Sequence, residues 1–236
     1  MIYMGSKSKI AKYILPIILK DRKPNQWYIE PFCGGLNTID KVDGNVMAFD
    51  NNPYLINMWI ALQHGVNFPT NISKDFYSDV RDSYNKNDGR YDYATIGWVG
   101  FMASFNGRFF DGGYSGHNVK GRDYIAEQIR NTISQVKNIG HIGFGIKDYS
   151  ELYDLPSNSI IYCDPPYKGT KQYSSSKNFN YNKFYEWCRE YKRMGHTVYV
   201  SEYWMPEDFR CIWEKEVTNS LNSTKTYKPI EKLFTL

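Results

Sequence analysis

Trp27-Tyr28-Ile29-Glu30-Pro31-Phe32-Cys33-Gly34-Gly35-Leu36-Asn37 is the stretch that decides the fold. Its first three residues favour a short strand, and the proline and paired glycines that follow predict a tight turn at the strand's end. A second apolar run, Val46-Met47-Ala48-Phe49, stops at Asp50 and leads into Asn51-Asn52-Pro53. Asn52 suits a helix N-cap and Pro53 the first helical position, with the helix reaching Gln63 or His64 and Gly65 ending it. Strand, glycine turn, helix, strand and acidic residue open an α/β, doubly wound, Rossmann-like sheet. The glycines let a backbone approach a ligand closely. Asp50 falls about 20 residues after the first strand, where a carboxylate can accept both hydroxyls of a ribose. Each feature has a plainer reading, a tight turn for the glycines and an Asx turn for Asp50.

The sheet pattern resumes with Ser159-Ile160-Ile161-Tyr162-Cys163, which ends in Asp164-Pro165-Pro166-Tyr167. In open α/β sheets the carboxyl ends of the strands are where ligands bind. An amine conjugated to a heteroaromatic base is a poor nucleophile because its lone pair is delocalised. A carboxylate and a backbone carbonyl that accept its two hydrogens localise the pair. Proline lacks an N–H and has a fixed φ, so it holds such a carbonyl in place. Tyr167 offers a face on which an extruded base can stack, worth about 1–3 kcal/mol.

Further out, a helix is predicted near Phe184 to Met194, stopped by Gly195, and a strand over Thr197 to Ser201. Cys211-Ile212-Trp213 and Lys232-Leu233-Phe234 are candidates for the last strands. At the other end a helix is expected after Met4-Gly5-Ser6, with Ser6 as its cap and Ile10, Ile14, Ile17 and Ile18 as its apolar stripe. Pro16 should kink or break it. Residues 66 to 139 read as an inserted, mostly helical domain, flanked by a core domain of residues 1–65 and 140–236. Helices are predicted near Phe76 to Tyr84 and Tyr93 to Phe105, and a hairpin or ordered loop over Asn106 to Gly121. Ile125, Ile129, Ile133 and Val136 mark one face of a further helix.

Composition narrows the class. The 236 residues carry a net charge of +4, too mild to identify a nucleic-acid partner alone. The 21 tyrosines supply either stacking surfaces or filler. Cys33, Cys163, Cys188 and Cys211 lack metal-ligand or disulfide spacing, so no metal is expected and a reducing cytoplasm fits. The absence of a signal pattern and of an apolar run near ~20 residues predicts a chain with no membrane association.

With both motifs in hand, Glu30 to Asn37 followed after a long insertion by Asp164 to Tyr167, the chain resembles the Dam-type DNA adenine-N6 methyltransferases. Tyr3-Met4-Gly5-Ser6-Lys7 is similar to that family's opening motif, with Ser6 where a second glycine is common. Asn106-Gly107-Arg108 and the glycines after it resemble the target-recognition hairpin, and Ser201-Glu202-Tyr203 resembles smaller, phage-like members. The resemblance implies S-adenosylmethionine as methyl donor, with duplex DNA as partner and base flipping as the route to the amine. It implies cofactor contacts from Tyr3, Met4, Gly5 and Lys7, the last on the methionine carboxylate. It adds Pro31, Phe32, Cys33, Gly34 and Gly35 in the loop, Asp50 and Asn51 at the ribose, and Asp148-Tyr149 at the adenine ring. Asp164 would be catalytic, with Pro165, Pro166 and Tyr167 completing the pocket.

For DNA, the basic residues of the insertion are Arg81, Lys86, Arg90, Arg108, His117, Lys120 and Arg122, and Lys168, Lys171 and Lys177 follow the catalytic motif. Asn106, Arg108, Lys120, Arg122, Lys168 and Lys171 are the candidate contacts, and Arg108 the candidate base reader. A monomer is expected. Three rivals remain: cytosine-N4 methylation, an inactive DNA-binding relative, and a nicotinamide-dependent oxidoreductase. The last is disfavoured because the glycine turn lacks G-x-G-x-x-G spacing.

Overall fold

The computed structural model describes residues 1–116, 121–169, 178–217 and 229–236. Lys120 and Lys171, like His117 and Lys177, lie outside the described residues. The element order is α1 (Ala11–Ile18), β1 (Tyr28–Glu30), β2 (Val46–Asp50), α2 (Pro53–Gln63), α3 (Lys74–Lys86), α4 (Tyr93–Ala103) and α5 (Tyr124–Val136). Then come β3 (Ile142–Ile146), β4 (Ile160–Cys163), α6 (Tyr181–Arg193), β5 (Thr197–Glu202), β6 (Arg210–Glu216) and β7 (Ile230–Thr235).

The described strands form one seven-stranded sheet in the order β3-β2-β1-β4-β5-β7-β6. The first five are parallel, and β7 runs antiparallel to both β5 and β6. The order reverses between β1 and β4, so the carboxyl ends of those strands frame a crevice. Side chains alternate across the sheet, as period 2 requires. Tyr28, Val46, Ala48, Ile160 and Tyr162 face one apolar cluster, whereas Ile29, Phe49, Ile161 and Cys163 face the other. The second cluster is covered by α6 through Phe184, Trp187, Cys188 and Tyr191. The first continues without a break into the insertion, through Trp98, Phe101 and Met102 of α4 and Ile125 and Ile129 of α5.

Several local expectations change. Asn52 does cap α2, accepting from the Tyr54 and Leu55 amides, with Pro53 first in the helix. Between β1 and β2, however, the chain makes only a 3-10 turn (Ile39–Lys41) instead of a helix. Ser6 does not cap α1: the Lys7 carbonyl accepts from the Ile10 and Ala11 amides, and α1 starts at Ala11 without a side-chain cap. Pro16 lies inside that helix, which ends two residues later at Ile18. On α5, Ile133 is half exposed, and the buried face includes Gln128, Thr132 and Gln135. The 106–121 segment is hairpin-like at its root, where the Phe105 amide donates to Gly113 and the Ser115 amide to Ala103.

Candidate active site

The glycine loop leaves β1 with Gly34 at φ +45° and Leu36 at φ +55°. Its carboxylate partner is Asp50 at the end of β2: Oδ2 accepts from the Gly34 amide at 3.1 Å and Oδ1 from the Asn52 amide at 3.0 Å. Burial pushes the Asp50 carboxyl up to about 6, against the lowering effect of those two amides. Trp59 of α2 donates its indole N–H to the Gly34 carbonyl at 3.2 Å. The loop is thus held from both sides.

The glycines are needed by a side chain of the same protein. A Cβ on Gly34 would lie 2.8 Å from the Tyr3 ring, and one on Gly35 2.7 Å from the Tyr3 Cβ. The N-terminal segment that carries Tyr3 is fixed by α5. Gln128 accepts from the Ile2 amide at 2.7 Å and donates back to the Ile2 carbonyl at 2.8 Å. Gln135 donates to the carbonyls of Gly35 and Leu36, at 3.0 and 3.1 Å. Nothing in the sequence marks these glutamines, because polar residues on a helix ordinarily face solvent.

The second half of the site lies at the end of β4. Asp164 Oδ1 is 2.9 Å from Lys7 Nζ, which is 3.5 Å from Glu231 of β7 and donates to the Gly5 carbonyl at 3.0 Å. Lys7 therefore faces Asp164, where the sequence expectation had it on a cofactor carboxylate. Burial pushes Asp164 up to about 6, with Lys7 opposing the rise and Glu231 adding to it. Lys7 itself is raised: its burial penalty is outweighed by Asp164 and Glu231. Tyr167 is buried and its hydroxyl donates to Glu231. The Lys7 ammonium sits over one face of its ring, 4.5 Å from the centroid, and Tyr203 meets it edge-on at 4.8 Å. Glu202 accepts from the Lys168 amide at 2.6 Å, tying the end of β5 to the turn after Tyr167.

Both halves open into one cavity of about 1780 Å³. Every residue expected at the cofactor or the catalytic centre lines it: Tyr3 to Gly5, Lys7, Pro31 to Gly35, Asp50, Asn51, Asp148, Tyr149 and Asp164 to Tyr167. Phe32, Tyr149 and Phe179 form an aromatic wall, with centroids 5.4 to 5.9 Å apart. Asp148 is engaged locally, accepting from the Ser150 amide and hydroxyl.

The DNA candidates divide. Asn106 and Arg108 line the same cavity from the turn after α4, and the Arg108 Nε is buried with no hydrogen-bond partner among the described residues. Arg122 is instead held by both carboxylate oxygens of Glu127 at 2.7 Å, which leaves it less available to a phosphate. Lys168 lies over the rings of Trp204 and Tyr181. Among the described residues there is no cluster of metal ligands and no helix long and apolar enough to cross a membrane.

No curated protein sequence matches the chain. Among solved structures the chain is similar to SMU.472, described as a methyltransferase complexed with SAH, at 14% identity and a TM-score of 0.42. That match covers 97% of this chain and 52% of the other, so this chain spans about half the length of that relative. The model of the D12 class N6 adenine-specific DNA methyltransferases matches residues 3–230, nearly the whole length. The chain belongs to that family.

Proposed function

We propose that this protein transfers the methyl group of S-adenosylmethionine to the N6 amine of a flipped adenine in duplex DNA. The observation that carries the reading is that the Asp50-anchored glycine loop and the Asp164-to-Tyr167 corner open into the same cavity. Its volume of about 1780 Å³ exceeds the ~300–1,000 Å³ usual for one small ligand, room for a cofactor and a nucleoside together.

The residues present fit the cofactor. Asp50 uses one lone pair of each oxygen on backbone amides, and an ionised carboxylate has about four acceptor sites, so two ribose hydroxyls can still be served. The Phe32, Tyr149 and Phe179 wall offers aromatic faces and edges against which an adenine ring can pack. When bound, the cofactor supplies an electrophilic methyl group.

The protein's part is to prepare the amine. Lys7 pins Asp164 through Oδ1 and the Tyr167 hydroxyl also hydrogen-bonds the carboxyl; a carboxylate has about four acceptor sites, so one N–H of the amine can still be accepted. The Pro165 carbonyl is the acceptor for the second N–H. With both hydrogens held, the nitrogen lone pair is directed out of the base plane. A carboxyl that titrates near 6 is ionised at neutral pH, as this role requires, yet basic enough to take up the proton that the methylated nitrogen releases. Arg108 lines the cavity with a buried Nε–H that lacks a partner among the described residues, which supports assigning it the reading of a base. The same reading has the enzyme act in the cytoplasm, where it would meet its DNA, and as a monomer.

The test is to incubate the protein with unmethylated bacterial DNA and labelled S-adenosylmethionine, digest to nucleosides and identify the labelled one by mass spectrometry. Label in N6-methyladenine that disappears in Asp164→Ala is the expected result. Label in N4-methylcytosine would replace the adenine reading. Cofactor binding without any labelled nucleoside would replace it with that of an inactive DNA-binding relative.

A further inference from the structure

The last-returning strand brings to the catalytic corner a carboxylate that the proposed reaction has not yet used. Glu231 is 6% exposed, on a strand otherwise occupied by sheet packing. The Tyr167 hydroxyl donates to it, and Lys7 Nζ stands 3.5 Å away. An ammonium has three hydrogens. Among the described residues its oxygen neighbours include Asp164 Oδ1 at 2.9 Å, the Gly5 carbonyl at 3.0 Å and Glu231 Oε1 at 3.5 Å. Glu231 and the Gly5 carbonyl thus compete with Asp164 for the same ammonium.

We propose that Glu231 is a positioning residue for methyl transfer, drawing Lys7 and the Tyr167 hydroxyl toward itself so that Asp164 keeps an acceptor position open to the amine. The inference rests on the reading of Asp164 to Tyr167 as the corner that receives the amine. A carboxylate is required because the tyrosine hydroxyl and the ammonium converge on the same oxygen, Oε1, and a fully charged acceptor attracts both without leaving the ammonium to Asp164 alone. Asp164 faces Lys7 from the N-terminal segment, Glu231 from β7, Glu30 from β1, Tyr162 from its own strand, and Tyr167 and Tyr203 from the flanking turns. Of these, Lys7 and Glu231 are the two charges that set its acidity from either side. Loss of the Glu231 charge makes Asp164 a stronger acid, both by removing repulsion and by leaving Lys7 to it.

The test is single-turnover methyl transfer with the full-length protein, unmethylated bacterial DNA and saturating labelled S-adenosylmethionine, from pH 5 to 9. Glu231→Gln keeps an acceptor for Tyr167 and drops the charge; Glu231→Ala drops both. Cofactor affinity and thermal midpoint are measured for each, with Asp164→Ala alongside. The expected result is an acid limb of the rate profile moved to lower pH in Glu231→Gln. In Glu231→Ala the rate should fall on the order of 10²-fold, as for a misplaced reacting group, with cofactor affinity little changed. A wild-type acid limb in folded Glu231→Gln would overturn the proposal, as would losses in both variants that simply track a lower thermal midpoint. Wild-type rates in Asp164→Ala would overturn the underlying reading as well, and so separate the two failures.

Discussion

Glu30 ends β1 beside the catalytic corner, 2% exposed, with the Tyr28 hydroxyl donating to it at 2.8 Å. Burial pushes its carboxyl up to about 8 from 4.5, and hydrogen bonds from Thr38 and Tyr28 recover only part of that rise. In the unfolded chain the same group ionises near 4.5. A carboxyl raised on folding contributes stability that is fully present below its unfolded value and is lost as pH climbs to its folded one. At about 1.4 kcal/mol per pH unit, the loss is roughly 3 kcal/mol between pH 4.5 and 7, and near 4 kcal/mol by pH 8, where the folded group is itself half ionised. Glutamine has the same shape and does not titrate. Glu30→Gln should therefore gain on the wild type as pH rises, by roughly 3 kcal/mol between pH 4.5 and 7 relative to any constant offset. Urea denaturation followed by tryptophan fluorescence at pH 5, 6, 7 and 8 measures the difference directly, since every other titrating group is common to both proteins. Parallel stability curves, or a gap that narrows with pH, would refute a neutral buried Glu30.

Three further outcomes follow from the site. Asp50 titrates near 6 because it is buried, and its ionised form is the better acceptor for ribose hydroxyls. S-adenosylmethionine affinity by calorimetry should weaken up to about tenfold per pH unit below 6 and lose that slope in Asp50→Asn; a flat wild-type profile from pH 5 to 7 would count against the ribose role. Gly35→Ala sets a methyl 2.7 Å from the Tyr3 Cβ, an atom that cannot swing away, so about 1–3 kcal/mol of stability and some cofactor affinity should go, read by thermal melting and titration. Arg108→Ala should relax discrimination between target sequences, by about 1–3 kcal/mol at the base it reads, while leaving cofactor affinity alone; unchanged preference across a DNA library would remove Arg108 from that role.

The strands were legible where apolar runs are uninterrupted, and β1, β2, β4 and β5 stand within a residue or so of their expected positions. Strand β3 carried no such signal. Ile142-Gly143-Phe144-Gly145-Ile146 has glycine at alternate positions, which weakens strand propensity. Its reason lies on the neighbouring strand, since a Cβ on Gly145 would stand 2.5 Å from the Phe49 ring. The stripe expected on α5 failed at Ile133 for a related reason. The inward positions are taken by Gln128 and Gln135, which bond Ile2, Gly35 and Leu36, all more than 90 residues away in the chain. The motif residues were readable because a turn, a cap or a strand end is a local event. Glu231 was not, because its partners Lys7 and Tyr167 reach it only through the pairing of β7 with β5.

The glycine loop lines the cavity, and its glycines have a second reason that lies outside the loop. Sequence logic asks for glycine where a ligand must come close to the backbone, and the loop does line the cavity. The atoms that a Cβ would strike nevertheless belong to this chain's own side chains, Tyr3 at Gly34 and both Tyr3 and Asn37 at Gly35. Tyr3 is in turn set by Ile2, which Gln128 grips through both its amide and its carbonyl, and by Phe101 of α4, 5.9 Å away. A Cβ on Gly107, one residue before Arg108, would meet the Ile2 carbonyl at 2.4 Å. The glycine loop, the opening segment and the root of the Arg108 turn are therefore packed as one unit, and none can shift without displacing the others. If DNA were to displace Arg108, the close contacts from Gly107 to Ile2 and from Tyr3 to Gly34 would be a steric route to the loop that Asp50 anchors. The glycines at positions 34, 35 and 107 keep that route tight, because any larger residue at one of them would wedge it open.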